Sequence, residues 1–162
     1  MTDVAAELRR DGRRLELRYV LAGEMGEVAV PAQAPSTRTD ELWRHTCFEA
    51  FVRGAGESYV ELNFSPSTQW AAYRFSGYRD GMAPADAEPQ VHAVKTARTL
   101  ELTASVDLPE DLADGSWQVG ITAVVETADG TLAYWSLQHA PGRPDFHHPD
   151  CFCVRLPAPQ TP

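Results

Sequence analysis

Polar side chains that can bind a small molecule are concentrated between Leu42 and Met82. Carboxylate, amide and guanidinium groups form paired hydrogen bonds with neighbouring hydroxyls, and an aromatic ring packs against the apolar C–H face of a sugar. All four group types occur in this stretch, at Glu49, Glu61, Asn63, Trp70 and Arg74. These residues predict a binding site for a small polar ligand, with a saccharide or sugar derivative as the leading candidate.

Three predicted strands must bring these side chains together. Apolar residues recur at every second position in three runs, which a Gly-rich loop at 54–57 and a Ser-Pro turn at 65–67 separate. If Val52 lies opposite Val60, then Phe48 lies opposite Phe64, and the first two strands share one apolar face. The remaining side chains of those strands then form a second, polar face.

Continued through the Ser-Pro turn, the same alternation predicts the faces of the third strand. Residues 71, 73 and 75 are expected on the apolar face, whereas Trp70 and Arg74 are expected beside Glu61 and Asn63. A second interpretation stays open, in which Glu61 and Arg74 form an exposed cross-strand ion pair with no binding role.

The remaining chain predicts more short strands and no long helix. We expect strands at 15–20, 27–30, 90–96, 99–107, 117–126, 132–138 and 151–156, and single helical turns at 41–44 and 109–113. This series indicates an all-β fold, an antiparallel β-sandwich of jelly-roll type. Residues 1–162 are expected to form one domain with an irregular tail from about residue 157.

A run of metal-binding residue types lies near the carboxyl end. His147, His148, Asp150 and Cys151 have side chains that suit zinc, although their spacing matches no common zinc pattern. Alternatively, the histidines and Asp150 cap a turn through hydrogen bonds and Cys151 packs as a small apolar residue.

Aromatic residues outside the core are candidates for contact with a ligand. Trp43 follows a predicted loop and Trp70 lies on the predicted polar face, so both are expected to touch it. Tyr134 and Trp135 are consecutive on a strand, and one of them must face away from the core.

Catalysis is a weaker hypothesis. Glu49 and Glu61 are a carboxylate pair of the kind that hydrolyses glycosidic bonds, but the sequence does not fix their separation. The chain carries no phosphate-loop, dinucleotide, zincin or serine-hydrolase motif. We therefore expect a protein without catalytic activity.

The composition limits the partners. The chain has 162 residues and a formal net charge of −9, which argues against nucleic acid or an anionic membrane as a partner. Three cysteines and an amino terminus without a continuous apolar segment predict a cytoplasmic protein.

Three segments resemble the DOMON-like ligand-binding domains grouped with the family 9 carbohydrate-binding modules. They are LWRHTCFEAFV from Leu42, YVELNFSPSTQWAAYRFSGYRDGM from Tyr59 and PGRPDFHHPDCFCVRL from Pro141. The resemblance spans about residues 39–156 and implies a jelly-roll sandwich whose relatives bind sugars or haem. In sugar-binding relatives, aromatic rings and polar side chains hold the ligand, which by chemical type implies Trp43, Glu49, Glu61, Asn63, Trp70 and Arg74 here.

Three alternatives to a sugar-binding module remain. Relatives that bind haem use a methionine and a histidine as iron ligands, and this chain offers Met82 with His45, His92, His139, His147 and His148. A second alternative is a metal-binding protein or metal-dependent enzyme that uses the segment with His147, His148 and Cys151. The third is a sandwich that binds a protein partner only. No cofactor is expected if the leading hypothesis holds.

Overall fold

The computed structural model describes residues 2–159, so the last three residues of the expected tail, 160–162, lie outside the described residues. Within that range the strands are β1 (Asp3–Asp11), β2 (Arg14–Ala22), β3 (Cys47–Arg53), β4 (Tyr59–Phe64), β5 (Trp70–Phe75), β6 (Ala83–Pro84), β7 (Gln90–Lys95), β8 (Thr99–Asp107), β9 (Trp117–Glu126), β10 (Leu132–Ser136) and β11 (Val154–Leu156). Single 3-10 turns lie at Met25–Glu27, Leu42–Arg44, Glu110–Leu112 and Pro149–Cys151.

The strands form two antiparallel sheets. One has four strands in the order β1-β2-β8-β7, and the other has the order β10-β9-β3-β4-β5-β6, with β11 also paired to β9. This confirms the predicted all-β antiparallel sandwich, while jelly-roll connectivity stays a prediction. Helices in the described part of the chain are single turns, too short to cross a bilayer.

The main core lies between the two sheets. Tyr19 and Leu102 of the four-stranded sheet pack there with Phe48, Leu62 and Ile121 of the seven-stranded sheet. The Tyr19 hydroxyl donates a hydrogen bond to the backbone carbonyl of Glu49 at 2.6 Å, so the buried phenol is satisfied inside this core.

The predicted register of the first hairpin is confirmed. Val52 pairs with Val60 and Phe48 pairs with Phe64, so alternate residues of β3 and β4 face the core. Glu49 and Glu61 consequently lie on the opposite face of the seven-stranded sheet, as the alternation predicts.

The predicted faces of β5 are wrong. Phe64 pairs with Trp70, so the indole and Ala72 join the main core, and Arg74 shares their side of the sheet. The Ser65 amide bonds to the Gln69 carbonyl and three residues remain in the loop, with Thr68 in the left-handed region at φ 79°. Loop length sets hairpin register, and this loop shifts β5 by one residue from the prediction.

Two further differences concern the amino-terminal part. The predicted strand at 27–30 is instead a 3-10 turn followed by a single bridge from Val28 to Thr127. The residues before Leu15 form a complete edge strand, β1, which the sequence analysis missed. Every residue of β1 pairs with β2, and the other edge of β1 is open to solvent, so charged residues are tolerated along this strand.

The seven-stranded sheet is buried on both faces at its centre. Its outer face carries a second apolar cluster, in which Phe51, Tyr59, Phe75, Phe146 and Phe152 pack together. The segment before β11 approaches this face closely at Gly120, where an added Cβ would lie 3.1 Å from the Cys151 carbonyl oxygen. Loops therefore cover the polar face of β3 and β4 and build a cavity over it.

Candidate functional site

A pocket of about 420 Å³ lies on the outer face of the seven-stranded sheet. Its floor comes from strands β3, β4, β5 and β9, and its walls come from the 3-10 turn at Leu42–Arg44, the β5–β6 loop and the segment between β10 and β11. Small-molecule sites commonly measure roughly 300–1,000 Å³, so this pocket can hold a small ligand.

The rim of the pocket is aromatic and exposed. Trp43 and Tyr134 are each 44% exposed, and Met82 is 58% exposed. Exposed rings at a pocket mouth offer flat apolar surfaces on which a ligand ring can rest. The rim thus combines contact area with access from solvent.

The floor of the pocket carries two buried carboxylates on neighbouring strands. Glu49 is 3% exposed and Glu61 is 5% exposed, and Phe51 lies opposite Glu61 on the paired strand. Burial, and then the nearby charge of Glu61, raise the pKa of Glu49 well above its usual value. The floor therefore carries two buried carboxyl groups, and the pKa of one of them is raised.

Glu61 belongs to a hydrogen-bonded chain that ends at the backbone. His147 Nε2 lies 3.1 Å from a Glu61 oxygen, and His147 Nδ1 lies 2.8 Å from the Tyr59 hydroxyl. The Arg79 amide donates to the same hydroxyl oxygen at 3.1 Å. With a neutral imidazole, Tyr59 donates to Nδ1 and Nε2–H donates to the carboxylate, so each link in the chain is satisfied.

Asn63 and Thr122 lie in the same row across the sheet as Glu49. Asn63 is completely buried, and neither its side-chain oxygen nor its nitrogen has a hydrogen-bond partner among the described residues. The Thr122 hydroxyl is also buried without a partner there. Buried polar groups are normally paired. The unpaired groups in this row therefore do not stabilise the fold in the way that buried polar groups usually do.

A surface ion pair in one wall of the pocket connects the β5–β6 loop to the segment between β10 and β11. Arg79 Nη2 lies 2.7 Å from Asp145 Oδ1, and Tyr78 donates a hydrogen bond to the same carboxylate. Although burial alone raises the pKa of Asp145, the hydrogen bonds from Tyr78 and Arg79 outweigh it and lower that pKa. Arg79 is thus neutralised within the wall.

The structure brings together three of the six predicted ligand residues. Trp43, Glu49 and Glu61 line the pocket. Asn63 lies beside Glu49 but does not line the pocket. Trp70 lies in the main core at 7% exposure, with the Arg38 guanidinium 4.8 Å from its ring centroid. Arg74 pairs with Asp111 on the core side of β5, so the predicted Glu61–Arg74 pair does not form.

Several pocket residues were missed by the sequence analysis. They are mainly aromatic or lie on the covering loops: Phe51, Phe75, Arg79, Val124, Pro144 and Phe146. The usable signal was the pair Tyr134 and Trp135. Tyr134 lines the pocket and Trp135 packs against the main core, which confirms that these neighbours face opposite ways.

The predicted zinc residues do not converge. His148 accepts a hydrogen bond from the Asp150 amide and caps the turn at Pro149–Cys151, while the Cys151 thiol donates to the Asp145 carbonyl at 3.3 Å. His147 instead faces Glu61. No three His, Cys, Asp or Glu side chains within residues 2–159 are grouped as a metal site.

The haem alternative also lacks a suitable ligand pair. Of the five histidines, His147 shares the pocket with Met82, but both of its ring nitrogens are engaged, with Glu61 and Tyr59. His45 lies 2.7 Å from Glu126 instead. The histidine that shares the pocket with Met82 is therefore already engaged and does not fit a methionine–histidine pair on iron.

No protein-family model matches the chain, and no curated protein matches it significantly. Among solved structures, a proposed carbohydrate-binding protein from Bacteroides uniformis is similar at a TM-score of 0.65 and 16% identity, over 98% of this chain and 79% of that chain.

A family 9 carbohydrate-binding module from Caldicellulosiruptor kristjanssonii, in complex with glucose, is similar at a TM-score of 0.59 and 10% identity. That match spans 96% of this chain and 76% of that chain. The protein therefore has the sandwich fold of a family 9 carbohydrate-binding module.

Proposed function

We propose that this chain is a non-catalytic module that binds a saccharide or sugar derivative in the pocket between Trp43 and the floor carboxylates. The observation that carries the proposal is the combination of an exposed aromatic rim with two buried carboxylates beneath it. Sugars present an apolar C–H face and vicinal hydroxyls, which match these two surfaces.

The similarity of fold supports the same ligand class. A module with this sandwich fold, from Caldicellulosiruptor kristjanssonii, is in complex with glucose. At 10% identity the similarity shows the fold alone. The support for the ligand class comes from the pocket of this chain.

The arrangement of the carboxylates supports a binding role. Hydrolysis needs two carboxyl groups that flank one glycosidic bond. Glu49 and Glu61 lie on neighbouring strands of the same sheet face, so both approach a ligand from below. This arrangement suits recognition of hydroxyls.

Trp43 provides the direct test. Substitution Trp43→Ala removes the exposed ring, and we expect saccharide affinity to fall roughly tenfold, the scale of one aromatic contact. Trp43→Phe is the matched control, because it keeps an aromatic face and should retain most of the affinity. Calorimetric titration across a panel of mono- and disaccharides measures both, and equal affinity in Trp43→Ala and the unaltered protein would contradict the proposal.

Fluorescence gives an independent readout. Trp70 and Trp117 are buried and Trp135 is half-buried, whereas Trp43 is exposed and lines the pocket. Ligand-dependent quenching should therefore come from Trp43 and disappear in Trp43→Phe. The alternative of a protein-interaction domain stays a prediction, as does the cytoplasmic location.

A further inference from the structure

A negative charge on Glu49 would have no partner on the pocket floor. Its side chain is 3% exposed, and within residues 2–159 no donor is hydrogen-bonded to its carboxylate. The Tyr19 hydroxyl donates to the backbone carbonyl of Glu49 and not to its side chain. A buried carboxylate without a partner is unfavourable, and a ligand that supplies one gains free energy there.

The nearby cations are already in use. Arg79 is paired with Asp145, and the His147 imidazole lies between Glu61 and Tyr59. Arg44 lies over the Trp43 ring, 5.2 Å from the ring centroid, and is paired with Glu41. When Glu49 is ionised, the carboxylates of Glu49, Glu61 and Asp145 outnumber the possible cations, Arg79 and His147, by one. The other titratable groups near Glu49, Cys47 and Tyr19, are acids and supply no positive charge.

Aromatic rings complete a site suited to an organic cation. Trp43, Tyr134, Phe51, Phe75 and Phe146 line the pocket above and beside the carboxylates. The faces of aromatic rings attract ammonium groups, and a carboxylate beneath the rings adds direct charge pairing. A neutral sugar makes the ring contact but leaves Glu49 without a counter-charge.

We propose that the preferred ligand is an amino sugar with a free, protonated amine, whose ammonium group lies against Glu49 while its ring rests on Trp43. This inference rests on the proposed saccharide-binding function and adds the ligand's charge. When Glu49 carries a proton in the free protein, arrival of the ammonium group releases that proton to solvent and leaves a carboxylate–ammonium pair. No covalent bond of the ligand changes.

Calorimetric titration of the whole chain at pH 6 with glucosamine, glucose and N-acetylglucosamine tests the proposal. We expect glucosamine to bind about tenfold or more tightly than the two neutral sugars, as a charge-assisted hydrogen bond allows. In Glu49→Gln the preference should shrink to within about twofold. Glu57→Gln removes the same charge from an exposed loop and should keep the preference.

A second measurement does not depend on a variant. Titration of the unaltered protein with glucosamine in two buffers of different ionisation enthalpy reports protons released on binding. At a pH where Glu49 is protonated in the free protein, we expect proton release with glucosamine and none with glucose, and no release at any pH from 5 to 7 would contradict the proposal. If Glu49→Gln does not fold, this comparison decides the question.

The outcomes separate the two proposals. If glucose and glucosamine bind equally, and Trp43→Ala still lowers the affinity for both, the charge inference is wrong and the saccharide function stands. A glucosamine preference that survives in Glu49→Gln would also overturn it. Failure of all sugars to bind would remove both.

Discussion

At the scale of single residues, Glu49 is where stability and function conflict. Its carboxylate lies in a row with Asn63 and Thr122, both of which bury side-chain polar atoms without partners in the described part of the chain. An apolar residue at position 49 would suit packing better. A fold that keeps such a group in a pocket floor resembles other binding sites, where local rules for stability are broken for a ligand.

The raised pKa of Glu49 predicts a pH dependence of stability. The unfolded chain loses this proton near the usual pKa of 4.5, whereas the folded protein retains it to higher pH. Stability from this group is therefore complete below about pH 4.5 and declines as pH rises towards the folded pKa. Urea unfolding should show that the free energy of unfolding falls more steeply between pH 5 and pH 8 for the unaltered protein than for Glu49→Gln.

The matched control for this measurement is Glu57→Gln, which removes an exposed carboxylate. That variant should follow the unaltered protein across the same pH range. Parallel pH profiles for Glu49→Gln and the unaltered protein would show that Glu49 titrates normally, contrary to its burial.

At the scale of elements, the β4–β5 hairpin shows how a short loop decides a site. Both faces of β5 are largely apolar in sequence, because Trp70 and Ala72 on one face alternate with Ala71, Tyr73 and Phe75 on the other. Alternation therefore cannot choose the register, and the loop at 65–69 does so. One residue of shift moved Trp70 from the predicted pocket into the core.

This register predicts that substitutions of Trp70 and Arg74, which the sequence analysis placed on one face, change the free energy of unfolding by very different amounts. Trp70→Ala should lower the free energy of unfolding by about 3–5 kcal/mol, because a core indole is removed. Arg74→Ala loses a part-exposed ion pair with Asp111 and should cost about 1 kcal/mol or less. Chemical denaturation measures both.

Ligand binding separates them further. Arg74→Ala should keep the saccharide affinity of the unaltered protein, since its side chain lies outside the pocket. A folded Arg74→Ala variant that has lost binding would mean that β5 has the originally predicted register in solution.

Sequence patterns predicted the strands that have clear alternation and short connections. The bounds of β8 and β9 were predicted to the residue, and the pairing of β3 with β4 followed from their apolar positions. The covering of the polar face was not predictable, because His147 reaches Glu61 from a segment 86 positions further along the chain. Such a contact depends on the whole sandwich and leaves no local pattern.

At the scale of the whole molecule, the two sheets differ in what their outer faces offer a ligand. The four-stranded sheet has a broader concavity of about 810 Å³, lined by exposed pairs such as Arg9 with Glu16 and Arg14 with Asp107. Exposed pairs compensate one another and stay hydrated, so they offer a ligand little. The smaller pocket has two buried carboxylates below aromatic rings, of which Glu61 is paired with His147.

We therefore expect a sugar to bind in the smaller pocket and not on the larger surface. The larger surface has the greater volume, but the smaller pocket has the desolvated polar groups that give a ligand specific interactions. The net charge of −9 adds an overall attraction for a cationic sugar and does not select between the two surfaces.

A crystal structure of the protein with glucosamine tests the central claim most directly, because it locates the ligand. We predict one sugar in the pocket, with its ring against Trp43 and its amine within hydrogen-bonding distance of Glu49. A sugar bound on the four-stranded sheet, with the pocket free of ligand, would contradict the account.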